Sequence, residues 1–213
     1  MRFTIYLIFI FVIFTNFTYA RPVSYSGGWT VMLKNDGNIN RMHTHFSPTH
    51  KLSLGYNLEY WHDEEFMFNS LQVNNLLKRW NEKNSQANFY LKSGIGLAYS
   101  DKFEFDGEIK LSAFTGISYD WENRRYFIKY QNRYTDAGKI YDAFMQSITF
   151  GVAPYEGDFG DLHTWLMFKI EHKPENKESF EATPLFRFFK SVHLLELGLN
   201  DRGKFLFNYF IRF

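Results

Sequence analysis

The sequence predicts an all-β protein, an antiparallel transmembrane β-barrel of about 12 strands, and three observations predict it. From Leu52 onward, segments of about 10 residues alternate apolar and polar positions between turn-forming clusters. Aromatic residues make up 21% of the chain, with 25 Phe and 14 Tyr, yet charged residues reach 22% and the mean hydropathy is negative. Such a chain is polar on average and apolar in alternation. Beyond the amino-terminal leader no apolar run approaches the roughly 20 residues that a spanning helix needs. The chain has no Cys, which a closed hydrogen-bonded barrel does not need.

Residues 1–20 have the pattern of a cleaved signal peptide. Arg2 supplies the positive start, Phe3 to Phe14 is nearly all apolar, and Thr18 and Ala20 are small residues at the −3 and −1 positions. Cleavage would leave Arg21 first and 21–213 as the barrel domain. The other reading, an uncleaved anchor, suits the shortness of the apolar run less well.

The strands follow in order. Trp29 to Lys34, the turn Asn35-Asp-Gly-Asn38 and a weakly patterned arm from Ile39 to Phe46 form a first hairpin. Leu52, Leu54, Tyr56, Leu58 and Tyr60 then share one face, against Ser53, Gly55, Asn57 and Glu59. Phe66 to Trp80 is ambiguous: Phe66 and Phe68 take one parity, Leu71 and Val73 the other, so a β-bulge near Asn69 or Ser70 is expected, and Leu76 to Trp80 also suits one helical turn. Phe89, Leu91, Ile95, Leu97 and Tyr99 restore the alternation. Phe105, Ile109, Leu111, Ala113, Ile117 and Tyr119 continue it.

The turn Trp121 to Arg124 leads into Tyr126, Ile128, Tyr130 and Tyr134, opposed by Lys129, Gln131 and Arg133. Thr135 to Asp142 reads as a polar loop before Phe144, Ile148, Phe150 and Val152. Leu162, Leu166, Phe168 and Ile170, then Phe180, Phe186 and Phe188, then Leu195, Leu197 and Leu199 mark three more strands. Pro184 falls inside one of them and requires a bulge or a local gap in the ladder. The strand number is even, about 12, or about ten if the first hairpin or the ambiguous segment drops out. Trp61, Trp80, Trp121 and Tyr155 near strand ends suit interfacial aromatic girdles.

The last ten residues carry a resemblance. Phe205, Phe207, Tyr209, Ile211 and Phe213 share one face of a strand long enough to cross a bilayer, with Lys204, Asn208 and Arg212 on the other. This ending resembles the bacterial (Gram-negative) outer-membrane β-barrel proteins as a broad class. The resemblance implies an outer-membrane location, contact with outer-membrane lipid, and recognition of the terminal strand by the barrel-assembly machinery.

The face opposite the apolar one assigns charges of both signs to the lumen: Glu59, Asp106, Glu108, Glu171 and Glu181 with Lys92, Lys110, Lys129, Arg133, Lys169 and Arg187. Charges this dense are expected to pair, giving a constricted interior of weak selectivity. The expectation for function is therefore a narrow small-solute channel or a structural barrel.

The alternative is an outer-membrane lipid-modifying enzyme of phospholipase or deacylase type. A third reading is a soluble periplasmic lipocalin-like barrel, whose outward face would have to be polar. No catalytic residue is assigned: the phospholipase pattern of a His two residues before Ser-Asn is absent, and Asn132 to Gly138 combines hydroxyl, carboxylate and glycine without a nearby histidine, which leaves only a triad assembled from strands far apart in sequence. No cofactor or metal is assigned either, although His43, His45 and His50 are candidate ligands within a few residues of one another. A net charge of +1 without a basic run gives no case for nucleic acid.

Overall fold

The computed structural model describes residues 24–213 apart from Phe159, so the expected signal peptide lies outside the described residues. The strands are β1 (Gly28–Asn35), β2 (Ile39–Ser47), β3 (Leu52–Trp61), β4 (Phe66–Asn81), β5 (Ser85–Ser100), β6 (Ile109–Asn123), β7 (Tyr126–Asp136), β8 (Asp142–Val152), β9 (His163–His172), β10 (Phe180–Lys190), β11 (His193–Leu199) and β12 (Phe205–Arg212). Each pairs antiparallel with its sequence neighbours, and β1 pairs with β12, closing a 12-strand barrel. The seam is continued past β12 by Phe213, whose N–H donates to Trp29 O at 3.0 Å and whose O accepts from Trp29 N at 2.6 Å. The weakly patterned first hairpin is present in full register from Gly28↔Ser47 to Asn35↔Asn40.

Alternation sets the two faces. Leu54, Leu71, Ile95, Leu97 and Leu111 point outward, and Leu71 and Leu111 are 68% and 73% exposed. An apolar surface this extensive is unfavourable in water and favourable in lipid. Polar groups on the same face satisfy each other: Tyr56 Oη donates to Asn69 Oδ1 at 2.6 Å, and the Ser93 and Thr115 hydroxyls lie 3.0 Å apart. Mutual pairing of this kind is what hydrocarbon demands of polar side chains. The protein is a membrane-spanning β-barrel.

Four expectations are corrected. No bulge interrupts Asn69 or Ser70; β4 keeps its register there and shifts only between Leu76 and Lys78. Phe66 and Phe68 therefore point inward while Leu71 and Val73 point outward, because the inner face at that end is itself apolar. The same stretch, Leu76 to Trp80, is strand rather than helical turn. Phe105 lies in a 3₁₀ turn (Phe103–Phe105) between β5 and β6, outside the outward face of β6. Trp61 belongs to no girdle, being fully buried inside the barrel.

Pro184 is accommodated without a bulge. Ala182 O accepts from Asp201 N at 2.9 Å, so the backbone groups of Ala182, and by alternation those of Pro184, face the β11 side. The β10–β11 ladder ends at Leu185↔Gly198, and the missing N–H falls just beyond it.

Candidate functional site

The interior is the candidate site, because the outer face is committed to lipid. A cavity of about 1010 Å³ runs along it, lined at the end carrying the termini by Arg124, Asp158 and Phe213, and towards the other end by Asp36, Ile39 and Glu59. The far end carries an aromatic cap. Inward-facing Trp61, Phe66, Phe68 and Phe114 pack with Ala137 and Ile140 from the β7–β8 connection, and Tyr141 lies against them. Ring centroids of Tyr141 and Trp61 are 4.8 Å apart, those of Tyr141 and Phe66 5.3 Å.

The connection read from sequence as a polar loop is thus folded inward, with Ala137 fully buried and Ile140 nearly so. Gly94 makes room for the cap. A Cβ there would stand 2.3 Å from Phe114 Cε1, so only glycine lets that ring lie against β5.

Beneath the cap the charges pair. Glu59 Oε1 is 2.6 Å from Arg133 Nη1 and 2.8 Å from Arg41 Nε, and its other oxygen accepts from Trp61 Nε1 at 2.9 Å. The Arg133 guanidinium lies 3.9 Å from the Phe114 ring centroid, a cation–π contact. Glu171 is held by Lys169 at 2.6 Å and Lys173 at 3.0 Å, and Glu196 by Arg187 at 2.6 Å with Asn208 donating at 2.7 Å. Asp120 accepts from Asn88, which in turn accepts from Arg79, both at 2.7 Å.

Three lysines stand outside this pairing. Lys34, Lys92 and Lys129 all line the cavity and lie within electrostatic reach of one another. Among the described residues none makes an ion pair or hydrogen bond, although the Lys34 ammonium lies 5.1 Å from the Phe210 ring centroid. The expected pairing of lumen charges therefore holds for the acids on β3, β9 and β11, which engage neighbouring bases, while Lys34, Lys92 and Lys129 are left without a direct partner.

Other sequence-assigned residues fall as follows. Glu59, Lys92, Lys129, Arg133, Lys169, Glu171 and Arg187 point into the barrel, while Glu181 lies near the far rim with Arg202 4.0 Å away. Asp106 and Glu108 are not lumen charges. They sit in the β5–β6 connection, where Glu108 pairs with Lys110 at 3.0 Å, each side chain 39% exposed. Lys34, Arg41, Asp120 and Glu196 were missed as lumen charges, although their position opposite outward Leu33, Met42, Tyr119 and Leu195 is the signal that finds them.

His50 lies in the exposed β2–β3 turn, apart from His43 and His45, which point inward and are buried. Their ring nitrogens have no hydrogen-bond partner among the described residues, so neither is set to draw a proton from a hydroxyl.

No family model matches the chain, and no curated protein matches it significantly. Among solved structures it is similar to LpxR from Salmonella typhimurium, with 10% identity over 87% of this chain and 99% of that one and a TM-score of 0.45. It is also similar to Pseudomonas aeruginosa OccK8 (OprE), with 6% identity over 86% and 62% and a TM-score of 0.44. A third similar chain comes from work on the in-meso crystallization of membrane proteins, with 12% identity over 89% and 83% and a TM-score of 0.48.

Proposed function

We propose that this barrel sits in a bacterial outer membrane and admits small anionic solutes to a lysine-lined lumen. The observation that carries this reading is the unpaired set Lys34, Lys92 and Lys129 along the cavity wall. Glu196 and Asp120 act on these ammonium groups only at a distance, and an anion drawn from solution supplies the direct partner that each of the three lacks. The outer-membrane location is supported by the outward apolar face and by the terminal strand, whose alternation resembles that of the outer-membrane class. The aromatic cap then forms the narrowest part of the path, which makes the conductance small. A 12-strand barrel lies between those of 8 strands that fill with side chains and those of 16–18 that leave a wide channel.

Planar-bilayer recording under a potassium chloride gradient tests this. The expected reversal potential is that of chloride preference, and Lys92→Glu with Lys129→Glu should move it towards potassium. Cation preference in the unaltered protein, or no change on reversing both charges, rejects the anion reading.

A further inference from the structure

His43 and His45 stand two positions apart on β2, both turned into the barrel, 4% and 0% exposed. Their ring centroids are 4.9 Å apart with the planes inclined at 38°. All four ring nitrogens are buried and lack a hydrogen-bond partner among the described residues. Leaving buried polar atoms unsatisfied is unfavourable, and here two adjacent rings do so together. One nitrogen of each neutral ring carries a lone pair, so two such rings side by side offer a pair of donors to one small electron-pair acceptor.

A third donor stands beside them. Met32 lies directly opposite His43 in the β1–β2 ladder, faces the same way, and lines the cavity with it. Directly opposed side chains have Cβ atoms about 4.5–5.5 Å apart, which places the thioether and the imidazole within reach of one ion. Opposite His45 on β3 is Gly55, where a Cβ would come 2.3 Å from Thr44 O and 2.6 Å from His45 Cβ, so the absent side chain lets β3 lie this close to β2 beside His45.

We propose that Met32, His43 and His45 form a binding site for a soft monovalent transition-metal ion of the copper(I) class, reached from the lumen past Met32 and His43. Two neutral imidazoles and a thioether are soft donors, and no carboxylate is bonded to either ring. The surroundings also select for low charge. Lys34, Arg41 and Lys92 act electrostatically on His43, and Lys34, Lys92 and Arg212 on His45. A divalent ion would meet twice the repulsion of a monovalent one, without an anionic ligand to offset it. The site stands on different residues from the lysine set, and metal binding is measurable whether or not the barrel conducts.

Titration of the folded barrel in detergent with silver(I), a monovalent ion of the same softness, tests the site. One ion per barrel is expected, with zinc(II) binding more weakly. Met32→Leu should weaken silver binding at least about tenfold, since losing even a group that only supports a metal ligand costs about 10–100-fold. His43→Asn and His45→Asn should each weaken it as well, while Met145→Leu should not. Heat-dependent gel mobility reports whether each variant is folded. Should the histidine variants fail to fold, X-ray absorption at the silver edge of the unaltered protein still decides, because both nitrogen and sulfur must appear in the first coordination shell. Absence of saturable silver binding, zinc binding as tight as silver, unchanged binding in Met32→Leu, or a shell without sulfur overturns the proposal.

Discussion

Arg133 Nη1 lies 2.6 Å from Glu59 Oε1, a contact that spans the lumen from β7 to β3 past three intervening strands. Glu59 is wholly buried and also receives Arg41, Asn57 and Trp61, so removing its charge leaves two guanidinium groups without their shared partner. Breaking a buried pair from one side costs about 3–5 kcal/mol. Glu59→Gln should accordingly lower the urea midpoint of the folded barrel, whereas an unchanged midpoint would show that water, not Glu59, balances these arginines.

Tyr141 covers Trp61 and Phe66 from the β7–β8 connection rather than from a strand. Tyr141→Ala removes ring contacts worth about 0.5–1.5 kcal/mol each and leaves all 12 strands in place. Single-channel conductance should rise while stability falls modestly. An unaltered conductance would place the constriction elsewhere.

Glu64, in the connection between β3 and β4, has its pKa raised above the usual carboxylate value, mainly by burial, against the Asn38 amide that donates to it at 3.0 Å. A folded-state pKa above the unfolded one means that the folded form holds the proton longer. This contribution to stability is fully present below the unfolded pKa and is lost as pH rises through the raised folded value. Unfolding of the barrel followed as pH rises from the usual carboxylate range should show that loss, and Glu64→Gln should flatten it. Identical pH profiles for the two proteins would remove Glu64 from the account.

How far the sequence carried this structure depends on what each face touches. Outward positions such as Leu91, Ile95 and Leu97 stay exposed on the apolar outer face, so hydrophobicity alone identifies them. The inner face obeys no such single rule. Phe66, Phe68 and Trp61 look like lipid-facing residues by composition and turn inward because Ala137 and Ile140 arrive from a distant connection to pack on them. Periodicity reports parity within one strand and contains nothing about partners across the lumen, which is why Glu59 could be assigned inward but not paired with Arg133. The same limit separates His50 from His43 and His45: nearness in sequence put the three together, and the β2–β3 turn carries His50 away.

Phe213 closes the β1–β12 seam through two backbone bonds to Trp29, and the residue is 62% exposed. Lys204 makes an ion pair with Asp63 at 2.9 Å between two turns at the other end. Deleting Phe213 removes both backbone bonds that extend the β1–β12 seam. Lys204→Ala removes a largely solvated pair worth about 0–1 kcal/mol. Assembled protein in membrane fractions should fall much further for the first change, and equal yields would deny Phe213 a role in insertion.

The inward and outward faces of β7 are open to direct chemical test, because the chain has no Cys and single cysteines can be placed at will. Lys129 and Gln131 line the cavity, so cysteine at either should react with a water-borne thiol reagent. Arg133 shares their face but is bound to Glu59 beneath the Phe114 ring, and cysteine there should react more slowly than at Lys129. Ile128 and Tyr130 point outward, where Tyr130 Oη donates to Gln146 Oε1 at 2.9 Å, and cysteine at these positions should yield to a lipid-soluble reagent instead. The two reagents together separate a blocked lumen from a wrong face. Protection of Lys129 and Gln131 from both reagents indicates a lumen closed to water, and preferential labelling of Gln131 and Arg133 by the lipid-soluble reagent would mean that β7 is one residue out of register, with its charges facing lipid.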